Sequence, residues 1–152
     1  MNNIYLILGE SGSGKTTIQT LLCKQHDLKA VSSYTTRPPR GEDEIGHIFV
    51  TDDEFDKLEN IVAYTEYNNN RYCATYEQIE DNDLYVIDID GIDFFKKVYR
   101  GNKDIKIIYI LSPIHTRAER MEIRNEKFSK IMERVVNDVI AFKNAKNLAD
   151  LS

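Results

Sequence analysis

The segment Gly9-Glu10-Ser11-Gly12-Ser13-Gly14-Lys15-Thr16 constrains this chain more than any other. It fits the pattern GxxxxGK[ST]. It lies between an apolar run, Ile4 to Leu8, and a stretch from Lys15 to Gln25 in which Ile18, Leu21 and Leu22 share one helical face. Strand, glycine-rich loop and helix in that order form a phosphate-binding loop. The glycines let backbone amides turn inward without a side-chain clash, and the helix N-terminus adds partial positive charge. Polyphosphate oxygens are therefore expected on Gly9, Glu10, Ser11, Gly12, Ser13, Gly14, Lys15, Thr16 and Thr17. Lys15 would reach the β- and γ-phosphates and Thr16 would ligate Mg²⁺.

The rest of the chain is patterned as an α/β protein. A short strand is expected around Ala30 to Ser33, followed by a loop from Thr35 to Glu44 that Pro38, Pro39 and Gly41 keep irregular. Thr51-Asp52-Asp53-Glu54 reads as a capping box that opens a short helix through Leu58. Ile61 to Tyr67 and Arg71 to Ala74, joined across Asn68-Asn69-Asn70, read as a hairpin because Asn tolerates positive φ. Thr75 can cap a brief helix after it. Leu84 to Asp88 and Ile105 to Leu111 are strand-like runs around a helical stretch carrying Phe94, Phe95 and Val98, which implies βαβ units and a parallel sheet. From His115 onward the chain reads helical, with an apolar stripe through Ile131, Val135, Val139 and Phe142.

Composition narrows the partners. A chain of 152 residues suits one domain, and 41% hydrophobic with 30% charged residues is the balance of an ordinary globular protein. A net charge of -5 argues against a nucleic-acid surface, which needs clustered Lys and Arg. The N-terminal apolar run is too short for a signal peptide or a membrane span. Cys23 and Cys73 lack metal or disulfide spacing and are expected as reduced thiols. A cytoplasmic protein, monomer or homodimer, binding neither nucleic acid nor membrane is the expectation.

A phosphate-binding loop does not by itself separate an ATPase, a GTPase switch and a small-molecule kinase. The segment Ser32-Ser33-Tyr34-Thr35-Thr36-Arg37-Pro38-Pro39-Arg40-Gly41-Glu42 places two arginines three apart in a proline-stiffened loop, where forked guanidinium donors can grip a phosphate monoester. With Gly46, Phe49-Val50 and Asp88-Ile89-Asp90 downstream, this order resembles the guanylate kinase family over about residues 3 to 140. The resemblance implies a P-loop three-layer α/β fold with a parallel sheet, a small mostly β acceptor-binding insertion (35–74) and a helical lid (near 117–130). The core would be 1–34 and 75–152 within one domain, 1–152. It implies a transferase that moves a phosphoryl group from ATP, with Mg²⁺, to a nucleoside monophosphate, GMP or dGMP. A kinase of a phosphorylated sugar and a guanylate-kinase-like binding module are the alternatives.

The same resemblance carries the acceptor phosphate onto Ser33, Arg37, Arg40 and Tyr72, with His47 where the family has a second tyrosine. An imidazole can donate a hydrogen bond there, and its charge near pH 6.5 would aid an anion. Two base-reading positions hold Ala63 and Ala74, while Asp90 remains to face the acceptor. Glu66 is expected on the opposite sheet face from Ala63, and Thr75 is one residue out of register. Arg120, Arg124 and Arg134 resemble the family's lid and lid-flanking arginines and join Lys15 as catalytic candidates, with Arg117 a weaker match. Asp88, at a strand's carboxyl end, would order Mg²⁺ or its waters. The family continues past Leu148-Ala149-Asp150, so a shortened member is expected.

Overall fold

The computed structural model describes residues 2–150; Met1, Leu151 and Ser152, the ends of the expected domain, lie outside the described residues. The apolar run at the start forms β1 (Asn3–Leu8), with Leu6, Ile7 and Leu8 all buried, so both faces of this strand are covered. After the glycine-rich loop comes α1 (Lys15–His26). None of its residues is buried and Leu21 is 48% exposed, so the expected apolar face is only half-covered, by Ile18 and Leu22. Strand β1 pairs in parallel with β6 (Leu84–Val86) on one side and β7 (Asp104–Tyr109) on the other, with Leu6 level with both Tyr85 and Ile107. The expected parallel sheet is present. Both outer strands stop two residues short of their apolar runs, before the backbone turns at Asp88 and at Ser112-Pro113.

A second sheet, in the order β3 (His47–Phe49), β2 (Ser33–Thr35), β5 (Asn70–Thr75), β4 (Ile61–Tyr67), rises from the middle of the chain. The strand expected around Ala30 to Ser33 divides: Ala30 makes a single parallel bridge to Leu84, and β2 (Ser33–Thr35) belongs to the second sheet. Beside it lies β3 (His47–Phe49), which sets His47 level with Ser33. Thr51 and Glu54 close a reciprocal capping box at α2 (Asp52–Phe55), which continues only as turns to Leu58. The hairpin pairs β4 (Ile61–Tyr67) with β5 (Asn70–Thr75), and its two turn residues, Asn68 and Asn69, have φ of 49° and 59°. Two successive positive φ angles give a turn whose twist matches the strands. Thr75 then caps α3 (Tyr76–Asp81), with Gln78 answering it.

Helix α4 (Ile89–Val98) packs Ile92 and Phe95 into a core that runs without a break from β1 and β7 to Val62, Ala63 and Ala74 of the second sheet. The insertion therefore shares its apolar floor with the parallel sheet. The helical tail divides into α5 (Ile114–Ile123) and α6 (Phe128–Ala141), broken where Asn125 takes a φ of 60°. Met121, Ile131 and Val135 form a small separate cluster that joins these two helices. Val139, expected on the buried stripe, is 57% exposed, whereas Phe142 stacks on Tyr109 with ring centroids 5.8 Å apart.

Candidate active site

The loop between β1 and α1 closes on itself through a Ser13 amide to Glu10 carbonyl bond of 3.1 Å, with Gly12 and Gly14 at φ of 74° and 96°. A side chain at Gly12 would be strained twice over: by the positive φ, and by the Arg117 carbonyl oxygen 2.7 Å from the added Cβ. Lys15 Nζ donates to the carbonyls of Gly9 (2.6 Å) and Glu10 (3.1 Å). Burial lowers the Lys15 pKa, and the nearby Asp88 and Asp138 carboxylates oppose that shift. Thr16 and Thr17 open α1 with exposed side chains.

Asp88 stands at the N-terminus of α4 and Asp90 lies in its first turn. Asp88 keeps an exposed surface in the cleft, but the crowding of the cleft walls raises its carboxyl pKa, against the pull of Lys15. Among the described residues no group of three or more His, Cys, Asp or Glu side chains is placed to hold a metal ion. A Thr hydroxyl and one carboxylate beside the loop nonetheless suit Mg²⁺, which commonly takes one or two protein ligands and fills its shell with phosphate oxygens and water.

A cavity of about 450 Å³ runs from Ser11 and Asp88 across to the second sheet. At its far end are Ser33, Arg37, Arg40, His47 and Tyr72, five side chains drawn from β2, β3, β5 and the proline-stiffened loop. Ser33 Oγ and His47 Nδ1 are 2.9 Å apart, and the His47 and Tyr72 ring centroids are 5.9 Å apart. Arg37 forms a forked ion pair with Glu44 and lies over the Phe49 ring at 5.6 Å. The same carboxylate accepts from the Arg40 amide at 2.7 Å. Burial alone would raise the Glu44 pKa, but the Arg37 bond and the Arg40 amide outweigh it and hold the carboxyl below its usual value. His47 departs from the charged role expected of it: burial first, then the Arg37 charge, pushes its pKa down, so a neutral imidazole faces the cavity near pH 7.

The positions expected to read a base stand apart around the cavity. Ala63 lies on its wall and Ala74 is fully buried in the core beneath. Thr75 caps α3, with Oγ1 accepting from the Gln78 amide at 3.4 Å, and it lies buried outside the lining of this cavity. Glu66, expected on the opposite face from Ala63, is exposed and borders the same cavity. Asp90 also lines it.

The arginines of the helical tail part company. Arg120 reaches the Gly12 carbonyl at 3.1 Å and Ser112 Oγ at 3.2 Å, and Arg134 donates to Ser11 Oγ at 3.2 Å while paired with Glu126 at 2.6 Å. Arg124 sits exposed at the end of α5. Arg117, the weaker candidate, is buried against the loop, 3.3 Å from Asp138. Sequence reasoning missed Asp138 and Glu44. Asp138 stands one helical turn beyond Arg134, on the same face, and that spacing was the available signal.

A family model described as guanylate kinase matches residues 1–147. The guanylate kinase of Nitrosomonas europaea is 31% identical, with 88% of this chain aligned to 72% of that protein. The guanylate kinase of a Polaromonas species is 26% identical over 86% of this chain and 68% of its own length. A crystal structure of guanylate kinase from Anaplasma phagocytophilum superposes with a TM-score of 0.63 at 19% identity, covering 98% of this chain and 74% of that one, which supports the fold. Phosphate loop, second sheet, arginine loop and match along nearly the whole length agree, and the chain belongs to the guanylate kinase family.

Proposed function

We propose that the protein transfers the γ-phosphoryl group of ATP to GMP or dGMP, giving ADP and the nucleoside diphosphate. The observation that carries this reading is the cavity that reaches the phosphate-binding loop at Ser11 and has Ser33, Arg37, Arg40, His47 and Tyr72 at its other end. Two anion grips at opposite ends of one cleft suit a reaction that joins a donor polyphosphate to an acceptor phosphate. The family match over residues 1–147 favours a nucleotide kinase over a sugar-phosphate kinase or a binding module.

Phosphoryl transfer asks little covalent chemistry of the protein, so the residues act by alignment and charge neutralisation. The loop amides and Lys15 hold the β- and γ-phosphates. Arg37 and Arg40 fork onto the acceptor phosphate, with Tyr72 and the neutral His47 as hydrogen-bond partners and Ser33 orienting the imidazole. Arg120 and Arg134, already at the loop, face the charge that spreads over the moving group, and Arg124 would join them on lid closure. Thr16 and Asp88 would hold Mg²⁺, which neutralises phosphate charge when bound. Asp90 reads the base, and with alanine at positions 63 and 74 the preference for guanine is modest, because each missing hydrogen-bond partner forgoes on the order of 1 to 3 kcal/mol. Reduced thiols and a cytoplasmic setting fit this chemistry. No described helix is long and apolar enough to cross a membrane.

The test is an acceptor panel with ATP and Mg²⁺, following ADP release with GMP, dGMP, AMP, UMP and a sugar phosphate. GMP or dGMP should be the best acceptor. If no monophosphate stimulates ADP formation, the kinase reading is wrong; equal rates with AMP and UMP would remove only the guanine preference.

A further inference from the structure

Three side chains of the helical tail converge on Ser11. Its amide donates to Asp138 Oδ2 at 2.8 Å, its carbonyl faces Arg117 Nη1 at 3.5 Å, and its hydroxyl accepts from Arg134 Nε at 3.2 Å. Asp138 is tied to Arg117 as well, at 3.3 Å, and Arg117 is only 2% exposed. The Asp138 carboxylate also acts on the charge of Lys15 and borders the cavity. It therefore occupies the Ser11 amide of the phosphate loop at the edge of the cavity.

A carboxylate oxygen on an inward-facing loop amide makes the same charge-assisted hydrogen bond that a phosphate oxygen makes. The surroundings are not fully satisfied by it: Ser13 Oγ and Arg117 Nε, both potential donors, are buried at the loop without a hydrogen-bond partner. Lys15 meanwhile spends its ammonium on the Gly9 and Glu10 carbonyls. The resting loop thus has one amide taken by an internal anion while neighbouring donors stand unused.

We propose that Asp138 competes with the donor nucleotide's phosphates for the Ser11 amide, so that this carboxylate of α6 must be displaced before the polyphosphate is fully gripped. The inference rests on the loop being the donor-phosphate site. Its sign sets it apart from ordinary support. A residue that merely shapes the loop helps the ligand, and its removal weakens binding. A resident anion opposes the ligand, and removing its charge strengthens binding. Because α6 also carries Arg134, release of Asp138 would free that helix to re-aim its arginine as the nucleotide arrives.

The experiment is calorimetric binding of MgADP to the intact chain, comparing wild type, Asp138→Asn and Asp138→Ala at one pH and one low salt concentration. Asp138→Asn keeps an acceptor oxygen for the Ser11 amide and Arg117 but removes the charge. It is expected to bind MgADP about tenfold more tightly, as loss of a like charge a few ångströms from phosphate implies. Asp138→Ala, checked for folding by circular dichroism, should also bind more tightly than wild type. Unchanged or weaker binding by Asp138→Asn, with wild type binding normally, overturns this inference alone. Absence of MgADP binding in all three proteins overturns it together with the donor-site reading.

Discussion

Lys15 Nζ, held 2.6 Å from the Gly9 carbonyl, is the cation that the phosphate loop itself carries. Lys15→Ala should lower turnover by at least about 100-fold, as loss of one preorganised charge on a transferring group does, while circular dichroism stays native. Arg37 differs, because it faces the acceptor: Arg37→Ala should raise the KM for GMP about tenfold or more with a smaller change in kcat, read from steady-state kinetics. His47 gives a pH signature. Its folded pKa lies below the ordinary 6.5, so below that pH the unfolded chain binds more protons than the folded one. Its contribution to stability is intact above about pH 6.5 and declines as pH falls from there towards the folded pKa. The stability of His47→Gln relative to wild type should therefore improve as pH drops from about 7.5 to 5.5, and a flat difference in thermal unfolding would contradict the shift.

Among elements, the phosphate loop and the capped helices show local chemistry setting local structure. Gly12, at φ 74° with the Arg117 backbone behind it, couples loop conformation to the docking of α5. Gly12→Ala should cost about 1 to 3 kcal/mol in strain and loosen that docking, seen as a lower Tm and a greater loss in nucleotide binding than in GMP binding. Thr75 caps α3 from a 7% exposed position. Thr75→Val should cost about 1 kcal/mol, a Tm shift of about 2–4 °C for a chain of this size. The hairpin turn across Asn68-Asn69-Asn70, the Thr51-Glu54 capping box and the Thr75 cap were legible in the sequence because each depends only on neighbours within four residues, whereas the answering bond from Gln78 was added by the structure. The fate of Ala30 to Ser33 was not. A run of β-type residues does not say which sheet will take it, and here Ala30 bridges one while Ser33 enters the other.

At the scale of the molecule, one core joins two sheets, and one cavity runs from the phosphate loop at Ser11 to the arginine loop beside the second sheet. A ligand at either end stabilises the folded state by an amount that grows with the logarithm of its concentration over Kd, about 2.7 kcal/mol at a hundredfold excess. Because the cavity is shared, MgADP and GMP together should raise the Tm by more than the sum of the two separate shifts. Simple additivity would argue against closure of one cleft around both. The arginines mark where whole-molecule geometry overrides sequence spacing. Arg117 and Arg120 on α5 contact the loop, while Arg124, which caps the C-terminus of that helix, ends exposed.

The sequence by itself determined the phosphate loop, the parallel sheet, the hairpin, the capped helices and the proline-stiffened arginine loop. Glycine placement, side-chain periodicity and capping act over a few residues and leave marks that can be read in order. Only the tertiary structure decided that Glu44 returns to hold Arg37, that burial and the Arg37 charge keep His47 neutral, and that Asp138 reaches across 127 positions to the Ser11 amide. Those contacts depend on how elements cross and how much water the crossing excludes, and neither distance nor dielectric is written in the spacing of residues along a chain.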